Sequence, residues 1–293
     1  MNRPVVVGVD GSPASLVAAE EAARAAVRRQ LPLHLVHGYL HPLGYGVPLN
    51  PYDLGVPAPT EPAQRMLEQT AAELAGDRPG LHVEVRQVAG GPGAALVEES
   101  HRAELVVVGS RGLGGFTGLL LGSVGAQVAA HAHCPVLVVR PAGGPAPVLG
   151  PVLVGVDGSE SASLAVRYAA EEAVRRGAEL VLVHVTGGDH ADAVGARDPR
   201  AGGPTPPEDE PLLATAVAAA RVEHPDLTVT GRTVRAASAE QALIEASRDA
   251  ALVVVGTRGR GGFTGMLLGS VSQALVQHAH CPVLVAHPYD RAG

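Results

Sequence analysis

The chain repeats itself once at a fixed offset, and that constrains its fold more than any other feature. The segment Val5-Val6-Val7-Gly8-Val9-Asp10-Gly11-Ser12 returns as Val152-Leu153-Val154-Gly155-Val156-Asp157-Gly158-Ser159, 147 positions later. Gly109 and Gly256, Gly122 and Gly269, and Cys134 and Cys281 keep the same offset. Between Leu105–Pro141 and Leu252–Pro288, 26 of 37 positions are identical, too many for two segments that merely share a secondary structure. A solenoid repeats every 20 to 50 residues or so, whereas this period is a whole domain. The Pro- and Gly-rich stretch from Pro141 to Pro147 has the composition of a linker. It places the domains at 1–146 and 147–293.

Each copy alternates apolar runs with Ala-rich helical stretches. In the first copy the runs are Val5–Val9, Leu33–His37, His82–Val88, Leu105–Val108 and Val136–Val139, with helical patterns near 13–29, 62–76, 92–102 and 123–132. Runs this continuous read as strands buried on both faces. The alternation defines an α/β class: a parallel sheet flanked by helices, with ligands expected beyond the carboxyl ends of the strands. Residues 38–61 and 186–211 are longer than ordinary connections and differ between the copies, as lid segments with separate roles do.

Composition narrows the partners. Net charge is −7, no basic run tracks a phosphate backbone, and aromatics are 2% with no Trp, which argues against nucleic acid. No apolar segment reaches bilayer-spanning length, and Met1-Asn2-Arg3-Pro4 does not open a secretory leader. A cytoplasmic protein without a membrane partner is expected. Two cysteines at equivalent positions read as reduced structural thiols rather than a disulfide framework.

After the fourth strand comes Gly109-Ser110-Arg111-Gly112, nine residues, then Gly122-Ser123 opening a helix. The second copy has Gly256-Thr257-Arg258-Gly259, nine residues, and Gly269-Ser270. Glycines here let backbone approach a ligand, and the unpaired N–H groups of the next helix face an anion, which suits a polyphosphate. Ser123 and Ser270 are candidate N-caps. A bland reading stands beside this one: the glycines permit a tight turn and the serines only cap. Asp10 has a second reading too, as an acceptor for the Gly11-Ser12 turn that caps the first helix. Arg111 and Arg258, between phosphate-loop glycines, read as anion contacts. The clusters His131, His133, Cys134 and His278, His280, Cys281 read as a helix end before a Pro-started strand, not a metal site, because three ligands in one extended turn rarely converge.

These motifs resemble the universal stress protein family in its tandem form. Both copies match its ATP-binding pattern of Gly, two residues, Gly, nine residues, Gly and Ser or Thr. The Val-Gly-Val-Asp-Gly-Ser opening and the His-Ala-His-Cys-Pro-Val-Leu-Val ending are similar as well. The resemblance implies two Rossmann-like domains, each a five-stranded parallel sheet of order 3-2-1-4-5, and an ATP ligand; Mg2+ is expected only as the companion of a polyphosphate, not from any ligand motif. It implies that Gly8 with Asp10, and Gly155 with Asp157, line the adenosine end. His37 with Gly38, and His184 with Val185, would border the adenine, although the histidines read equally as satisfied core-edge residues. Ribose and phosphates would fall to Gly109, Ser110, Arg111, Gly112, Gly122, Ser123 and Val124 in the first copy. In the second they would fall to Gly256, Thr257, Arg258, Gly259, Gly269, Ser270, Val271 and Ser272. Gly125 stands where the second copy has Ser272, a hydroxyl the family supplies near phosphate, so weaker binding is expected in the first pocket.

No Lys follows the glycines as in a Walker loop, and no catalytic residues are assigned. The expected function is an ATP-binding stress-response regulator that is non-catalytic or a very slow ATPase. The alternative is a dimerisation module with vestigial pockets. A homodimer through the fifth strands, Val136–Val139 and Val283–Ala286, and a protein partner of unknown identity complete the expectation.

Overall fold

The computed structural model describes residues 3–39, 61–112, 121–140, 150–187, 210–259 and 267–289. Most of the long stretches 38–61 and 186–211, and the glycine run 114–118, lie outside the described residues. The chain forms two compact units, Met1–Gly143 together with His287–Gly293, and Gly144–Ala286.

In the first unit the strands are β1 (Val5–Gly8), β2 (Leu33–Tyr39), β3 (Val83–Ala89), β4 (Leu105–Gly109) and β5 (Val136–Val139). The helices are α1 (Pro13–Arg29), α2 (Glu61–Gly76), α3 (Pro92–Ser100) and α4 (Ser123–His131). The second unit has β6 (Val152–Gly155), β7 (Leu180–Gly187), β8 (Val229–Ala236), β9 (Leu252–Gly256) and β10 (Val283–Ala286). Its helices are α5 (Glu160–Arg176), α6 (Glu210–Glu223), α7 (Ala239–Ala246) and α8 (Ser270–His278). Strand order is β3-β2-β1-β4-β5 in one unit and β8-β7-β6-β9-β10 in the other. Every strand pair within a unit is parallel, with Val5 opposite both Leu33 and Leu105, and Val152 opposite both Leu180 and Leu252. Each unit therefore has the expected 3-2-1-4-5 order.

The central strands are Val- and Leu-rich because both faces are covered: Val5, Val6, Val7, Val106, Val152, Val154 and Val253 are fully buried. The expectation of strands buried on both faces fails at β3 and β8. Both are largely half-exposed or exposed, because Glu84, Arg86 and Gln87, or Arg232, Thr233 and Arg235, interleave with their apolar residues. Each has a single neighbour in its unit, so one side meets water.

The first helix after each opening strand is long because its ends are well made. Ser12 caps α1 by accepting the Ser15 N–H, Pro13 fits the first turn, and Arg28 and Arg29 oppose the negative end of the dipole. Ser159 caps α5 through the Ala162 N–H, with Arg175 and Arg176 in its last turn. The α1 face against the sheet is almost all alanine: Ala18, Ala19, Ala22, Ala23 and Ala26 are buried. With so little side chain between them, helix and sheet pack closely. A Cβ on Gly109 would fall 2.8 Å from the Ala14 carbonyl oxygen.

The first unit also includes the end of the chain. The His287 ring Nε2 is 2.8 Å from the Ala129 carbonyl, and the Tyr289 hydroxyl donates to the Glu104 carbonyl at 3.0 Å. Arg3 stacks 5.4 Å over the Tyr289 ring. Both cysteines are buried, free thiols, and burial pushes each up to about 12.

Candidate functional site

A cavity opens at the carboxyl end of the strands in each unit, of about 610 Å3 in the first and about 450 Å3 in the second. Its floor is where strand one and strand four end side by side, at Gly8 and Gly109, or Gly155 and Gly256. The following helix begins at the cavity wall.

That helix start is the most telling local geometry. The N-caps of α4 and α8 are Gly122 and Gly269, not the serines expected from sequence, and no side chain caps either helix. Each glycine amide is used in the turn, donating to the carbonyl of Ser110 or Thr257 at 2.7 Å. Glycine at the cap lets the loop close on itself and puts Ser123 and Ser270 into the first helical position. Their amides and those of Val124, Gly125, Val271 and Ser272 belong to the first turn, where the helix has no internal partner for them, and all six residues line the cavities. The positive end of the helix dipole thus points into each cavity.

Asp10 does two things at once. Its Oδ1 accepts the Ser12 N–H at 3.0 Å, as a turn cap does, while the residue lines the cavity with Oδ2 against Gly112. Asp157 repeats this with the Ser159 N–H at 3.0 Å and also takes the Ser159 hydroxyl at 2.7 Å. The two readings of this aspartate are compatible.

The first cavity brings together Gly8, Asp10, His37, Gly38, Gly109, Arg111, Gly112, Gly122, Ser123 and Val124. It leaves out Ser110, whose side chain is buried and whose N–H donates to the Val139 carbonyl. The second cavity brings together Gly155, Asp157, Val185, Gly256, Arg258, Gly259, Gly269, Ser270, Val271 and Ser272. It leaves out His184 and Thr257. The Thr257 hydroxyl is 3.4 Å from Ser161 Oγ, and the His184 ring is buried with Nδ1 2.6 Å from the Val156 carbonyl. His37 makes the same bond, to the Val9 carbonyl at 2.7 Å, yet still lines its cavity. Ser272 lines the second cavity, but its hydroxyl donates to the Gly256 carbonyl at 2.6 Å. Its proton is thus engaged by the carbonyl that ends β9, a bond Gly125 has no hydroxyl to make.

Sequence reasoning missed the wall supplied by the third helix of each unit: Pro92 and Leu96 from α3, Ala239 and Leu243 from α7. It also missed Ser15, whose hydroxyl lies 3.3 Å from the Asp10 N–H. The signal was available, since α3 and α7 start at the carboxyl ends of their strands, where open α/β sheets bind ligands.

Histidines 131 and 133 do not converge with Cys134. The His131 ring bonds the Gln127 carbonyl, the His133 ring stacks on His101 at 3.7 Å, and Cys134 is fully buried. Among the described residues no group of three or more His, Cys, Asp or Glu is placed to hold a metal ion, and no helix is long and apolar enough to cross a membrane.

Two parallel-sheet α/β units, each with a glycine-lined cavity at a helix N-terminus, define a tandem protein of the doubly wound α/β class. The universal stress protein family model matches residues 1–140 and again 149–287, and the chain belongs to that family. It is 40% identical over 293 residues to a universal stress protein of Mycobacterium tuberculosis (strain CDC 1551 / Oshkosh), covering 96% of this chain and 95% of that protein. A universal stress protein from Archaeoglobus fulgidus DSM 4304 shares the fold over 99% of this chain and 98% of its own, with a TM-score of 0.72 and 21% identity. A universal stress protein solved in complex with cAMP is 30% identical over 47% of this chain and 96% of its own, with a TM-score of 0.36.

Proposed function

We propose that this chain is an adenine-nucleotide-binding regulator of the stress response, with ATP, accompanied by Mg2+, as the ligand of its cavities. Nucleotide occupancy alters what the protein contacts, and rapid turnover is not its role. The observation that carries this reading is the uncapped first turn of α4 and α8, aimed into a cavity beside the glycines of the ATP-binding pattern. Neither loop carries the lysine of a Walker motif, which supports binding without fast phosphoryl transfer.

The test is to purify the protein without added nucleotide, denature it, and count the released small molecule by mass spectrometry. ATP at one or two per chain supports the reading. An empty protein whose melting temperature does not move with excess ATP ends it, because ligand at 100 times its dissociation constant stabilises by about 2.7 kcal/mol.

A further inference from the structure

The two cavities differ at the start of the helix after strand three. In the first unit α3 begins Gly91-Pro92-Gly93, and its N-cap Gly91 makes no side-chain bond. In the second unit the same positions are Ser238, Ala239 and Glu240. Ser238 caps α7 by accepting the Gln241 N–H at 3.2 Å, and its hydroxyl donates to Glu240 Oε2 at 2.8 Å. The Glu240 carboxylate also accepts from the hydroxyl of Ser270, the first residue of α8, and from its own N–H. These bonds, Ser270 first, hold Glu240 below the usual carboxylate range.

Glu240 thus follows one cavity-lining residue, Ala239, and is hydrogen-bonded to another, Ser270. A negative side chain is fixed at the positive ends of two helices, where a phosphate would otherwise receive the dipole and the Ser270 hydroxyl. In the first unit a glycine, Gly93, stands at the position of Glu240, so that position offers Ser123 no carboxylate. Positive charge is distributed the opposite way. Arg111 lies close enough to Arg140 for the two to repel, whereas the residue matching Arg140 beyond β10 is His287, which belongs to the first unit. The second cavity is also the smaller, with Val185 where the first has Gly38.

We propose that Glu240 makes the second cavity select adenine ligands of low negative charge, such as adenosine or AMP, while the first cavity takes the polyphosphate. This rests on the reading that both cavities bind adenine nucleotides. It reverses the ranking expected from Gly125 and Ser272. Each added phosphate charge meets the Glu240 carboxylate across a partly solvated gap, and a repulsion of that kind changes the relative affinities by about tenfold.

The experiment uses the full chain in EDTA at pH 7.5. Hydrogen–deuterium exchange is followed by mass spectrometry on peptides covering α4 and α8, titrated with AMP and with ATP, so that each cavity reports its own midpoint. In the wild type the ratio of ATP to AMP dissociation constants is expected to be about tenfold higher at α8 than at α4. Glu240→Gln, which removes the charge and keeps a side chain of the same length that can still hydrogen-bond the two serines, brings the α8 ratio down to the α4 value, and Glu240→Lys lowers it further. An α8 ratio that neither substitution moves overturns the inference while leaving the proposed function intact. Failure of both nucleotides to protect either helix overturns both.

Discussion

The Asp10 carboxylate stands where a side chain on Gly112 would have to go: a Cβ there would fall 2.5 Å from Asp10 Oδ2, and Asp157 stands to Gly259 in the same way at 2.5 Å. Two segments a hundred residues apart are thus held so that only glycine leaves the aspartate in place. The obstacle is the tip of a side chain rather than backbone, so an added methyl rotates the carboxylate instead of breaking the fold. Gly112→Ala and Gly259→Ala are therefore expected to weaken nucleotide binding in their own unit by about tenfold, or ~1.4 kcal/mol. Melting temperatures of the unliganded variants should stay close to wild type. Calorimetric titration beside thermal melts separates the two effects, and unchanged affinity in both variants would remove the Asp–Gly contact from the binding site.

Gly109 makes the contrasting case. Its missing Cβ would meet the Ala14 carbonyl oxygen at 2.8 Å and carbon at 2.9 Å, both backbone atoms of α1. The helix cannot yield as a carboxylate can, and overpacking of this kind costs about 1–3 kcal/mol. Gly109→Ala is expected to lower the denaturant midpoint of the first unit even without ligand. A variant as stable as wild type would mean that α1 lies farther from β4 than described.

Ser100 and Ser247 carry out the same structural task in the two units. Each buried hydroxyl donates to a carbonyl in its own helical segment, Val97 or Ile244 at 2.5 Å, and accepts the N–H of His133 at 2.9 Å or His280 at 2.8 Å. Removing the oxygen leaves that amide without its acceptor, at a cost of about 1–3 kcal/mol. Ser100→Ala and Ser247→Ala should each destabilise their own unit by this amount and speed exchange at His133 or His280. Slow exchange in the alanine variants would show that another acceptor had taken the amide.

The parts of this architecture legible in the sequence were those written in local pattern. The offset of 147 residues, the Val-rich runs of β1 and β4, and the glycine spacing after β4 are each contained in one stretch of chain. What escaped depends on partners distant in sequence or on the direction of a side chain. Glu240 gains meaning from Ser270, thirty residues on, and nothing at position 240 itself distinguishes a surface glutamate from one hydrogen-bonded to the next helix start. Ser110 and Thr257 sit inside the right motif but turn away from the cavity. Ser123 has the residue type of an N-cap, yet Gly122 takes that role because its amide must reach the Ser110 carbonyl. The alternation in β3, which marks a strand wet on one side, was present in Val83-Glu84-Val85-Arg86 and was outweighed by the general apolarity of the other strands.

Gln30 and Gly177 end the equivalent helices α1 and α5, both in the left-handed region, with φ of 55° and 60°. Glycine adopts this conformation without a Cβ clash, and glutamine does so at a cost of about 1 kcal/mol. Gln30 is exposed, so its side chain contributes little packing to offset the strain. Gln30→Gly is expected to stabilise the first unit by roughly 0.5–1 kcal/mol, less whatever entropy glycine adds to the unfolded chain. Denaturant midpoints read on first-unit peptides check it, and a lower midpoint would mean that the unfolded-state term prevails.

His287 makes the stability of the first unit depend on pH. Burial is the main reason its ring is held below the ordinary imidazole value of 6.5, the Ala129 carbonyl opposes that shift, and His133 and His131 reinforce it. His34 is also lowered, again mainly by burial, with Glu84 acting the other way. Both rings are neutral in the folded unit at a pH where the unfolded chain has begun to take up protons. Folding stability therefore rises with pH through this window, is complete above 6.5, and is lost as pH falls from there through the lowered folded values. The expected result is a first unit that unfolds at progressively lower denaturant between pH 7 and pH 5, with the second unit changing less. His287→Gln, whose amide can take the place of Nε2 and donate to the Ala129 carbonyl but cannot titrate, should make that slope shallower, leaving the part due to His34. A slope that His287→Gln leaves unaltered would assign the whole effect to other groups.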